Sequence, residues 1–141
     1  MTPELHLLPM AASICLLTAL VQAWLMTMVR YFDAPFVLKI FPNYRDLVRS
    51  HVDYLIMTGI VFSTFLVLLK LEIALAPLAC WLIFIGALYN PFGFILQAIK
   101  PDIAESGGIV TKAGTVIGFL PLTIGLVWAA VEILSTSYSL L

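Results

Sequence analysis

Four long apolar stretches run along this chain, roughly Leu8 to Val29, Tyr54 to Leu69, Ala74 to Ile99 and Ile109 to Ile133, and short polar connections separate them. A helix needs about 20 apolar residues to cross a bilayer. Three of the stretches meet that length directly. The second is short, but Asn43 is a residue type that caps helices, so the helix is expected to begin in the polar loop, with Tyr44 to His51 as its first turns. The alternating apolar and polar residues that build a membrane barrel are not seen. The pattern therefore predicts an all-α, four-helix transmembrane bundle, with helices near 8–29, 44–69, 74–99 and 109–135, and one domain spanning residues 1–141.

Composition agrees: 62% of the 141 residues are hydrophobic, 11% are charged, and mean hydropathy is +1.10. The segment Ala19-Leu20-Val21-Gln22-Ala23 has the small residues of a signal-peptide end. The stretch before the first helix nevertheless carries Glu4 and no Lys or Arg, so a spanning helix is expected instead. Cys15 and Cys80 lie inside apolar stretches and are read as small core residues, not as a disulfide or metal pair.

Of the seven Lys and Arg residues, Arg30, Lys39, Arg45 and Arg49 fall in or beside the first connection and Lys100 and Lys112 flank the third, which leaves Lys70 alone on the other side. The positive-inside rule then puts the first and third loops in the cytoplasm and both termini outside, as in a bacterial inner membrane. Lys70 and Glu72 would form a very short outer hairpin. A net charge of −1 argues against a nucleic-acid partner.

Two polar marks interrupt the hydrocarbon. Arg49-Ser50-His51-Val52-Asp53-Tyr54 puts an imidazole at the mouth of the second apolar helix, on a face shared by Leu47, Tyr54, Leu55, Thr58 and Phe62. An ionisable residue entering a membrane is a functional-site hypothesis by default. Tyr89-Asn90-Pro91-Phe92-Gly93-Phe94 breaks the third, because Pro91 removes a helical donor and Asn90 is costly in lipid. A kink there would turn its unpaired backbone groups toward protein or a cavity.

Plainer readings exist for each residue. His51 can snorkel or cap, Asn90 can tie helices together, and Asp53 can suit the dipole of the early turns of its helix. Tyr31, Tyr89, Trp24 and Trp128 suit packing or the membrane interface. Glu132 reads as a boundary residue. The Gly107-Gly108 pair reads as a turn before the fourth helix.

Arg49-Ser50-His51 at the start of the second of four helices, then Asn90-Pro91-Phe92-Gly93-Phe94 and the exit Lys100-Pro101, resemble the styrene oxide isomerase family, with hydroxylaminobenzene mutases as distant relatives. The resemblance spans residues 8 to 135 in helix order and length, and about ten positions carry it. It implies a small homo-oligomer, trimeric in that family, that binds haem b between subunits, with His51 as axial iron ligand. It also implies an apolar, oxygen-bearing substrate such as an aromatic epoxide. Asn90 and Tyr54 would act on that substrate. The family's isomerases carry three further polar residues, an Asn, a Tyr and an Asp, where this chain has Met57, Phe94 and Gly86.

The only other histidine, His6, precedes the first helix on the opposite membrane face, so it cannot share an iron with His51 across a core of about 30 Å. Haem on His51 would be five-coordinate, unless Met57, Tyr54 or another chain adds a ligand, and an open position suits Lewis-acid chemistry. Arg45, Arg49 and Lys39 stand on the same side as the haem carboxylates would. A 15.5 kDa bundle can hardly enclose a macrocycle and a substrate alone, so a site between subunits is expected. Two alternatives stand beside the haem isomerase: a non-catalytic haem protein, and a cofactor-free accessory subunit of a larger membrane complex in which His51 caps and Asn90 packs.

Overall fold

The computed structural model describes residues 3–105 and 108–141, and among these residues there is no strand. A 3₁₀ turn at Pro3–His6 leads into α1 (Leu7–Tyr31), followed by α2 (Pro35–Ile40), α3 (Tyr44–Lys70), α4 (Pro77–Ile99), α5 (Asp102–Glu105) and α6 (Ile109–Ser139). Four helices are long and apolar enough to cross a membrane, those built on α1, α3, α4 and α6. The all-α four-helix bundle expected from hydropathy is the fold.

Local chemistry sets the helix starts. Pro35 and Pro77 open α2 and α4, where a missing N–H costs nothing because the first-turn donors have no helical partner. Asn43 does occupy the N-cap position of α3, but its side chain does not cap it. It donates through Nδ2 to Asp46 Oδ2 at 2.5 Å instead, while its backbone N–H binds Ala98 O at 3.1 Å. That second bond pins the start of α3 to the end of α4. Between α3 and α4 the connection runs over residues 71–76, longer than the expected 70–73 because α4 begins at Pro77 and not at residue 74, and Glu72 in it lies in the left-handed region at φ 56°.

α4 is the central helix, packed against α1, α3 and α6, whereas α6 leans almost entirely on α4. Close approach of α1 rests on small residues one turn apart: Ala11, Cys15 and Ala19 are all fully buried. Leu17, Val21 and Trp24 point the other way and are more than half exposed or close to it, at 63%, 60% and 67%. Such an apolar exterior is the expected surface of a helix facing lipid rather than water.

Some expectations need correction. The six-residue α2 and four-residue α5 inside the loops were not foreseen, and α6 continues past residue 135 to Ser139. Asp53 is the tenth residue of α3, beyond the first turn in which a helix dipole acts; Asp46 is the carboxylate in that turn. In the expected Gly107-Gly108 turn, Gly107 lies outside the described residues, and Gly108 is the N-cap residue of α6.

Candidate functional site

Pro91 sits inside a continuous α4 and removes the N–H that would have bonded Ala87 O, four residues earlier. The α1 thiol answers it: Cys15 Sγ donates to Ala87 O at 3.6 Å. Neighbouring carbonyls of α4 are treated the same way, with Tyr54 Oη donating to Leu88 O at 3.3 Å and Ser50 Oγ to Pro91 O at 3.1 Å. Ser50 in turn accepts from Gln22 Nε2 at 2.9 Å, so α1, α3 and α4 meet in one buried chain of hydrogen bonds. The break in the third span does face protein, through donors that α1 and α3 supply.

His51 stands beside this node but bonds elsewhere. Its Nδ1 is 3.0 Å from Ala19 O of α1. A carbonyl can only accept, so Nδ1 carries a proton, and the tautomer this bond selects is the one that leaves the lone pair on Nε2. Ala19 is the middle residue of the 25-residue α1. His51 is the eighth residue of the 27-residue α3, within its first third, so by its own helix it stays near the entry end that its sequence neighbours suggest, while its ring reaches the middle residue of α1. His6 is thirteen residues from Ala19 along the same helical run, about 20 Å away at 1.5 Å per residue.

Of the residues expected on the His51 face, Leu47 and Tyr54 are buried and Leu55 is exposed. Thr58 donates to Tyr54 O at 2.8 Å and reaches Ala12 O at 3.4 Å, a third tie from α3 to α1. Arg49 pairs with the buried Asp46 at 2.9 Å with about half of its own side chain exposed, and Arg45 is exposed on the same stretch of α3. Cys15 and Cys80 are buried and unbridged.

Asn90 belongs to a different interface. It lines a cavity of about 310 Å³ between α4 and α6, together with Phe92, Gly93 and Phe94 on one side and Gly114 and Phe119 on the other. The volume lies at the lower end of the range for small-molecule sites. Asn90 Oδ1 is buried without a hydrogen-bond partner, so the oxygen of this amide ties no helix.

Above the cavity the two helices close to backbone contact. A Cβ on Gly86 would stand 2.5 Å from Leu122 N, and one on Gly125 would stand 2.7 Å from Ile83 Cγ1 and 3.1 Å from Ala79 O. Those positions admit only glycine, whereas Gly93 and Gly114 border open space. Met57 is buried in the core and Phe94 lines the cavity, so neither contributes a polar group.

The structure thus brings Tyr54 and Ser50 to α4 and His51 to α1, and sets Asn90 against α6. Gln22 was missed. Its signal was present, since a lone amide inside an apolar helix must find a partner in lipid. Among the described residues no group of three His, Cys, Asp or Glu side chains is placed to hold a bare metal ion. No family model matches the sequence, and no curated protein or solved structure matches it.

Proposed function

We propose that this chain is a haem-b-binding integral membrane protein of the styrene oxide isomerase type, acting on an apolar, oxygen-bearing small molecule that enters from the bilayer. The observation that supports it most is the bond from His51 Nδ1 to Ala19 O. Histidines that ligate metals through Nε2 commonly donate Nδ1–H to a carbonyl, which sets the tautomer and orients the ring. A porphyrin supplies four nitrogens of its own and asks the protein for an axial one. The donor set fits that demand, since His51 brings one imidazole whose Nδ1 is held by Ala19 O.

In this proposal His51 holds the iron, and the exposed Arg45 and Arg49 pair with the haem carboxylates, Arg49 sharing its charge with Asp46. When bound, haem would supply a ferric Lewis acid that polarises the substrate oxygen. Asn90 orients the substrate through its buried amide. Tyr54 spends its hydroxyl on Leu88 O, so its part is to position α3 and His51 against α4. The assembly is a homo-oligomer, trimeric by resemblance, in a bacterial inner membrane, with the first and third loops cytoplasmic.

A second reading, a haem protein without turnover, is favoured by Gly86. The resembled isomerases carry an Asp there, and Leu122 leaves no space for any side chain. Two measurements separate the possibilities. Wild type purified in detergent should show a Soret band and stoichiometric haem b, and His51→Ala should lose both. Aromatic epoxides and aryl hydroxylamines given to the red protein should then be converted; a red protein that converts neither class is the non-catalytic form, and a colourless wild type ends the haem proposal.

A further inference from the structure

The cavity between α4 and α6 has features that packing alone does not require. Its wall is mostly apolar, with Phe92, Phe94 and Phe119 contributing rings. Phe92 and Phe119 are 38% and 53% exposed, so the rim lies on the outer surface of apolar helices, and the cavity opens where lipid would be. Asn90 is nine residues from the end of α4, which at 1.5 Å per residue is about 14 Å, close to the middle of a hydrocarbon core of about 30 Å. Water cannot be relied on to satisfy an amide at that depth. Asn90 Oδ1 is buried and unpartnered, as is Gln22 Oε1 in the node of α1 and α3, and Asn90 borders a cavity.

An unpartnered buried acceptor costs roughly 1–3 kcal/mol. A ligand that brings a donor removes that cost. A carboxamide oxygen only accepts, so the complementary group is an O–H or N–H. Aromatic walls favour a ring. The space is kept open by glycine, because a Cβ at Gly114 meets nothing within 4 Å.

We infer that this cavity is a membrane-facing binding site for a small aromatic molecule bearing one hydroxyl, which donates to Asn90 Oδ1 while its ring lies among Phe92, Phe94 and Phe119. The site shares Asn90 with the function proposed above but needs no iron. It therefore stands or falls separately, and its test is run on wild type and again on His51→Ala.

The probes are 4-(trifluoromethyl)phenol and its methyl ether, followed by fluorine NMR with the protein in lipid nanodiscs and empty discs as the blank. The phenol should bind wild type and His51→Ala alike, and about tenfold more weakly to Asn90→Leu, the size of one hydrogen bond. The ether, which lacks the donor, should not distinguish wild type from Asn90→Leu. Gly114→Leu fills the cavity without meeting backbone and should abolish binding of both probes. Equal phenol binding by wild type and Asn90→Leu, tighter binding of the ether than of the phenol, or unchanged binding by Gly114→Leu would each overturn the inference.

Discussion

The two faces of α4 are joined to their neighbours by opposite means. Toward α1 and α3 the helix offers carbonyls, and three of them, Ala87 O, Leu88 O and Pro91 O, take donors from Cys15, Tyr54 and Ser50. Toward α6 it offers Gly86, whose added Cβ would stand 2.5 Å from Leu122 N, so the two helices meet at backbone distance. Pro91 accounts for one of those three carbonyls, Ala87 O, whose helical donor it removes, while Leu88 O and Pro91 O take side-chain donors without having lost one to the proline. Removing an N–H leaves a carbonyl that must be satisfied inside a membrane, and the side that supplies donors becomes the specified, polar side. On the other face Asn90 Oδ1 is buried without a partner, and a cavity opens beside it. One proline-containing turn thus separates a structural node from the place where a ligand fits.

The comparison can be broken first at its tightest point. Gly86→Leu should destabilise most, by about 3 kcal/mol, because its Cβ would overlap the Leu122 backbone; SDS-induced unfolding in mixed micelles reads the loss. A wild-type unfolding midpoint for this variant would mean that α6 does not pack on α4 as described. Next comes Ser50→Ala, which strands Pro91 O and Gln22 Nε2 together and should cost about 1–2 kcal/mol in the same assay. Cys15→Val keeps the volume and removes only the weak thiol donor to Ala87 O, so about 0.5–1 kcal/mol is expected. Smallest is Gly114→Leu, which enters open space and should leave the midpoint within about 0.5 kcal/mol while closing the cavity. If Gly114→Leu proved as damaging as Gly86→Leu, the cavity would be a packed seam and the contrast between the two faces would vanish.

Much of the fold was legible because hydropathy acts over whole helices. Twenty apolar residues announce a span whatever their partners, and a proline with a neighbouring amide announces a break. What hydropathy does not encode is which face of a span meets which neighbour. His51 was visible as an ionisable residue, but its hydrogen-bond partner Ala19 O lies thirty-two residues away in the chain. Gln22 lies within the cleavage-like run Ala19 to Ala23, which masks it in the sequence, although one amide in lipid already implies a partner. The α4–α6 seam had a trace in the four-residue spacing of Gly114 and Gly118. Only geometry shows that Gly86 and Gly125 are closed while Gly114 is open. Asn43 shows the converse limit: its position at the start of α3 was read correctly, and its side chain went to Asp46 because a charged acceptor was within reach.

The most direct test of the account is chemical restoration of the proposed ligand. His51→Gly deletes the imidazole and leaves space beside Ala19, so the purified variant should lack the Soret band and pyridine haemochrome of wild type, and expression with haem and free imidazole should bring both back. Full haem retention by His51→Gly, or a wild type that is colourless under the same supply, would contradict the assignment of His51 as the iron ligand.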